Sequence, residues 1–104
     1  VSVFAKFPAL NLLPEGNYNT LVLTATVDGT APLKGVYTVD SVPKLIDARG
    51  PIWNEVRHYP GDVPPASLYV KTDFEKVVTC KILVNGDVKS SMSEPHAARC
   101  KYKL

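Results

Sequence analysis

The residues with the most chemical potential in this chain are Cys80 and Cys100, the only two cysteines among its 104 residues. Two thiols in a β-rich chain can stay reduced and buried, contribute to a metal site, or close as one disulfide. Zinc asks for four ligands, and the two histidines, His58 and His96, stand at no ligand-like spacing to the cysteines, so neither metal nor cofactor is expected. Val78, Cys80, Ile82 and Val84 alternate along one run. Ala98, Cys100, Tyr102 and Leu104 alternate with Arg99, Lys101 and Lys103 along another. Both have the period of a half-buried strand, which puts each cysteine on the core side of its own strand. A disulfide is the reading this favours. It would stabilise the fold by roughly 3 kcal/mol in the chain-entropy picture. Such bonds persist in oxidising compartments, so the protein is expected to be exported.

Other chemistry is sparse. Serines, histidines and carboxylates occur without a nucleophile elbow or other catalytic spacing, so no catalytic residue is assigned and an enzyme is not expected. No glycine-rich phosphate cradle or dinucleotide fingerprint is present. The nine aromatic residues are not interleaved with the basic ones, which argues against stacking on single-stranded nucleic acid. Trp53, His58 and Tyr59 share the one tryptophan-containing segment and are candidate partner contacts.

The elements that must position these groups are short strands. Asn85-Gly86 sits between β-prone runs, and both residues tolerate φ > 0, as a type I′ hairpin turn requires. Thr20–Asp28 alternates Leu21, Leu23, Ala25 and Val27 with threonines. Asp28-Gly29-Thr30-Ala31-Pro32 then turns the chain into a second strand, Leu33–Asp40, expected to lie antiparallel to the first. Ser41–Gly50 reads as loop or a weak strand at Lys44–Asp47. Ile52–Tyr59 is ambiguous, since Trp53, Val56 and Tyr59 have helical spacing whereas Trp53, Glu55 and Arg57 would share a strand face; its flanking prolines favour the strand. Ala66–Thr72 is a further strand. The expectation is an all-β, small two-layer β-sandwich (Ig-like) of about six or seven antiparallel strands with one disulfide. Residues 20–104 would form this domain and residues 1–19 an extended connector interrupted by Pro8 and Pro14.

A net charge of +2 is too small to imply nucleic acid. Residues 1–70 carry five Lys/Arg against six Asp/Glu, whereas residues 71–104 carry seven against four. The basic excess falls on the closing strands, where Lys81, Arg99, Lys101 and Lys103 would make an outer stripe. That stripe is either a solvated, lysine-protected edge or a contact surface for a partner or an anionic membrane. No run of 18 apolar residues exists to span a bilayer. The chain starts at Val1 rather than Met, and an export or anchor segment is expected to have been removed.

The run Cys80-Lys81-Ile82-Leu83-Val84-Asn85-Gly86-Asp87-Val88-Lys89, with Ala97 or Ala98 shortly before Cys100, resembles the small mycobacterial membrane proteins of the MmpS family. There a Cys-(Arg/Lys)-Ile-x-Val-(Asp/Asn)-Gly-x-Val run precedes a second cysteine about twenty residues on. The specific part covers about a quarter of the chain, with a looser match from Leu21 to Thr72. The resemblance implies a β-sandwich ectodomain tethered by an N-terminal membrane helix at the cell envelope. Its partner would be a large RND-type (MmpL) transporter that exports lipids or siderophores. The alternative is a secreted or lipid-anchored binding or inhibitory module of the same fold with no transport role, such as a phage or host-interaction protein.

Overall fold

A computed structural model describes residues 18–73 and 75–104. The connector expected over residues 1–19 falls outside the described residues as far as residue 17. The rest is all-β: β1 (Asn19–Val27), β2 (Leu33–Val39), β3 (Val42–Ala48), β4 (Ile52–Tyr59), β5 (Ala66–Lys71), β6 (Val77–Val84), β7 (Asp87–Pro95) and β8 (Ala97–Tyr102). They form two four-stranded antiparallel sheets, ordered β4-β1-β6-β7 and β3-β2-β5-β8. The expected two-layer sandwich is present, with eight strands among the described residues rather than six or seven.

The core follows from the alternation. Leu21, Leu23, Ala25 and Val27 of β1 and Val78, Cys80, Ile82 and Val84 of β6 point inward from one sheet. Leu33, Tyr37 and Val39 of β2, Ala66, Leu68 and Val70 of β5, and Ala98 and Cys100 of β8 meet them from the other. Cys80 and Cys100 are bonded across the two layers, with their Cα atoms 6.1 Å apart. Both lie within the apolar core, and the bond ties an inner strand of one sheet to an edge strand of the other.

Three sequence expectations meet a different geometry. β2 does not pair with β1: it pairs with β3 and β5, so the Asp28–Pro32 turn carries the chain between layers. Five residues ending in proline are a poor two-residue hairpin but an adequate crossover. The β2–β3 hairpin instead turns at Asp40-Ser41, both with positive φ (54° and 67°), and Ser41–Gly50 contributes a full edge strand. The Asn85-Gly86 turn is as expected, with φ of 54° and 84°, but its second arm is β7, paired with β6 around a bulge. The terminal run β8 follows after the single residue His96 and joins the other sheet, paired with β5. Ile52–Tyr59 is a strand, exposed and half-buried at alternate positions throughout.

Candidate docking surface

Antiparallel pairing sets directly opposed residues side by side on one face. On the outer face of the β3-β2-β5-β8 sheet, Leu45, Val36, Tyr69 and Arg99 form one row across all four strands. Asp47, Lys34, Lys71 and Ala97 form the row on one side of it; Pro43, Thr38, Ser67 and Lys101 form the row on the other. Lys34, Lys71, Arg99 and Lys101 are all exposed, so this face carries four cations against one acid, Asp47. The Arg99 guanidinium lies 5.0 Å from the Tyr69 ring centroid, a cation–π contact that holds the charge at the centre of the face. Lys34 and Lys71 are directly opposed, a like-charge arrangement that costs folding stability. Among the described residues none of these four cations forms an ion pair. Glu94 of β7 borders the shallow depression beside Tyr69 and Arg99.

The stripe expected from sequence is therefore only half assembled. Arg99 and Lys101 share the face, but Lys81 does not: β6 belongs to the other sheet, and Lys81 stands on its outer surface between Thr24 and Ser91. Around Lys81 that opposite surface carries Thr24, Thr26, Thr79, Ser91 and Ser93, with a row of Val56, Val22, Leu83 and Val88 beside them, and the Thr79 and Ser93 hydroxyls hydrogen-bond at 2.8 Å. Lys103 leaves the alternation because the strand ends at Tyr102 and residue 103 takes φ 61°. Its Nζ donates to the Val63 carbonyl at 2.9 Å and lies 5.4 Å from the Tyr102 ring centroid. Lys34 and Lys71 replace these two. Their signal was in the alternation of Leu33–Val39 and Ala66–Lys71; only the pairing of β5 with both β2 and β8 makes them neighbours of Arg99.

Trp53, His58 and Tyr59 are likewise divided by strand alternation. Trp53 and Tyr59 lie on the inward side of β4 with Glu55 and Arg57, all half-buried at the sandwich edge. Trp53 and the buried Tyr37 pack against each other with ring centroids 5.0 Å apart and planes tilted by 46°. Arg57 donates from Nε to Glu55 at 3.0 Å and lies over the Tyr37 ring at 5.7 Å. The bond to Glu55, ahead of the opposing effect of burial, raises the Arg57 pKa above its ordinary value, so the guanidinium is a fixed charge. His58 faces the other way, with Nδ1 3.1 Å from the Thr20 hydroxyl and its ring edge-on to Tyr18.

A polar clamp at this end of the molecule was not legible in the sequence. The Asn85 side chain accepts from the Thr20 backbone N–H at 2.9 Å and donates to the Asn19 side chain, which in turn donates to the Gly61 carbonyl. The hairpin turn is thereby fastened to the start of β1. Among the described residues no group of three or more metal-ligating side chains occurs, and no helix is long and apolar enough to cross a membrane. Comparison with the models of known protein families and with curated proteins gives no match to this chain.

Proposed function

We propose that this chain is an exported, non-enzymatic accessory domain that docks onto an RND-type transporter assembly at the cell envelope, tethered beside it by a segment outside this sequence. The observation that carries the reading is the outer face of the β3-β2-β5-β8 sheet, where Lys34, Lys71, Arg99 and Lys101 surround Tyr69 without ion-pair partners. A solvated face gains nothing from directly opposed lysines, whereas a docking face offsets their repulsion when an acidic surface arrives. The disulfide buried between the layers supports folding in an oxidising compartment. The MmpS-like Cys80–Lys89 run supplies the transporter as partner class.

The test is cross-linked co-purification of the transporter from membranes with the wild-type domain, with Arg99→Glu/Lys101→Glu, and with Lys81→Glu. The first variant is expected to lose association while remaining folded. Lys81→Glu, on the opposite face, is expected to behave as wild type. Normal association by a folded Arg99→Glu/Lys101→Glu protein would remove this face as the contact surface and leave the Trp53–Tyr59 edge as the next candidate. A cleaved secretion signal in place of a membrane helix upstream of Val1 would favour the secreted binding module.

A further inference from the structure

A transporter assembly in its membrane presents both a protein surface and a lipid surface, and the basic face touches one of them. We infer that it is the surface of an anionic phospholipid bilayer, on which the domain lies with the β3-β2-β5-β8 sheet against the headgroups. This rests on that face being the contact surface, and it names the partner.

Three features favour lipid over an acidic protein. The face is built from one row of mixed apolar, aromatic and cationic side chains between two rows that carry lysines. Leu45, at the apolar end of the central row, is 86% exposed on an edge strand. A protruding leucine at one end of a face whose other strands carry cations matches the headgroup–acyl boundary, where apolar side chains sink a few ångströms while cations stay with the phosphates. Second, the depressions described on this face are small, about 240 Å³ each, too little space for a protein segment to bury itself in. A fluid bilayer needs no such shape complementarity, whereas a specific protein interface packs as densely as a protein interior. Third, charge divides between the two broad faces. The opposite sheet presents Lys81 amid threonines, serines and a row of valines and a leucine, and Asp28, Asp40, Asp62, Asp73 and Glu75 lie in the connections with Arg49 and Lys76. Four cations, Lys34, Lys71, Arg99 and Lys101, therefore share one face, against Lys81 alone on the opposite one, as attraction to a charged surface would require.

The probe is large unilamellar vesicles of phosphatidylcholine alone or with 30% phosphatidylglycerol, cosedimented with the purified chain at low and high salt. Binding is expected only to the anionic vesicles and is expected to fall with salt. Arg99→Glu/Lys101→Glu is expected to lower the partition coefficient by roughly 30-fold or more, since each basic residue near such a surface contributes about one factor of five. Lys34→Gln/Lys71→Gln, a milder change, is expected to lower it as well, and Lys81→Glu to leave it unchanged. If the wild type ignores anionic vesicles while Arg99→Glu/Lys101→Glu still abolishes transporter co-purification, the lipid inference is overturned and the docking reading stands with a protein partner. If folded Arg99→Glu/Lys101→Glu and Lys34→Gln/Lys71→Gln proteins both bind anionic vesicles like wild type, the face is not the lipid contact.

Discussion

Asn85 does two jobs in one position. It takes the positive φ that the turn needs, and its side chain bridges to Thr20 and Asn19 on the neighbouring strand. Gly86 does only the first, with open space where a Cβ would stand. Gly86→Ala is therefore expected to destabilise by about 1 kcal/mol through backbone strain alone, and Gly86→Val by more because β-branching worsens the left-handed conformation. Asn85→Gly keeps the turn and removes the clamp, and is expected to cost about 1–2 kcal/mol in chemical denaturation. An unchanged midpoint for Asn85→Gly would mean that the clamp contributes nothing beyond the turn. Gly35 is a harsher case. A Cβ there would collide with the Tyr69 backbone carbonyl, where β2 and β5 lie side by side, so Gly35→Ala is expected to displace a strand and lower the melting temperature markedly. The turn at Asn85-Gly86 was legible in the sequence because it depends on two adjacent residues. The roles of Asn85 as a clamp and of Gly35 as a close approach were not, because their partners lie 65 and 34 positions away.

At the scale of elements, inner strands were easier to read than edges. β1, β5 and β6 each bury one face, and their period-two alternation follows directly from that demand. β3 and β7 are edge strands, and nearly all of their residues are exposed. The Ser-rich run Val88–Glu94 carries no alternation because neither of its faces is fully buried, and Pro43 is tolerated in β3 because an edge strand leaves one row of backbone N–H groups unpaired. Missing β7 as a separate strand is what placed Lys81 beside Arg99. The disulfide was legible, since both cysteines sit at inward positions of good strands, but that it joins the two layers was not. Cys100→Ser or Cys80→Ser is expected to cost about 2–5 kcal/mol, measured by equilibrium unfolding with and without reductant. Reduction of the wild type should reproduce the loss. A smaller effect than 1 kcal/mol would mean that the packing around Val78, Ile82 and Ala98 holds the layers without the bond.

The whole molecule separates stability from contact. The disulfide and the apolar side chains lie between the sheets, and the four candidate contact cations stand outside them, so charge reversal at Arg99 and Lys101 should leave the melting temperature within a few degrees of wild type. A large drop instead would show that the Arg99–Tyr69 contact is structural, since Arg99 is the one of the four cations that lies over an aromatic ring of the face. The candidate face could not have been assembled from the sequence. Lys34, Lys71 and Arg99 come from three strands, and which of them are neighbours is decided by sheet order, which no local pattern encodes.

The bond between Cys80 and Cys100 also decides how the chain would carry tension. With a sequence separation of 20, it short-circuits the β6–β7 hairpin and the start of β8: a pull applied between residues near Tyr18 and Leu104 passes through the sulfurs, and the intervening segment never bears load. In a single-molecule stretching experiment the oxidised protein should therefore end shorter than the reduced one by roughly 60 Å, the reach of the protected loop less the span of the bond itself. A domain held between an anchor and a partner would keep that hairpin, and its Asn85-Gly86 turn, folded back on itself even after every hydrogen bond between the sheets' strands had been torn open.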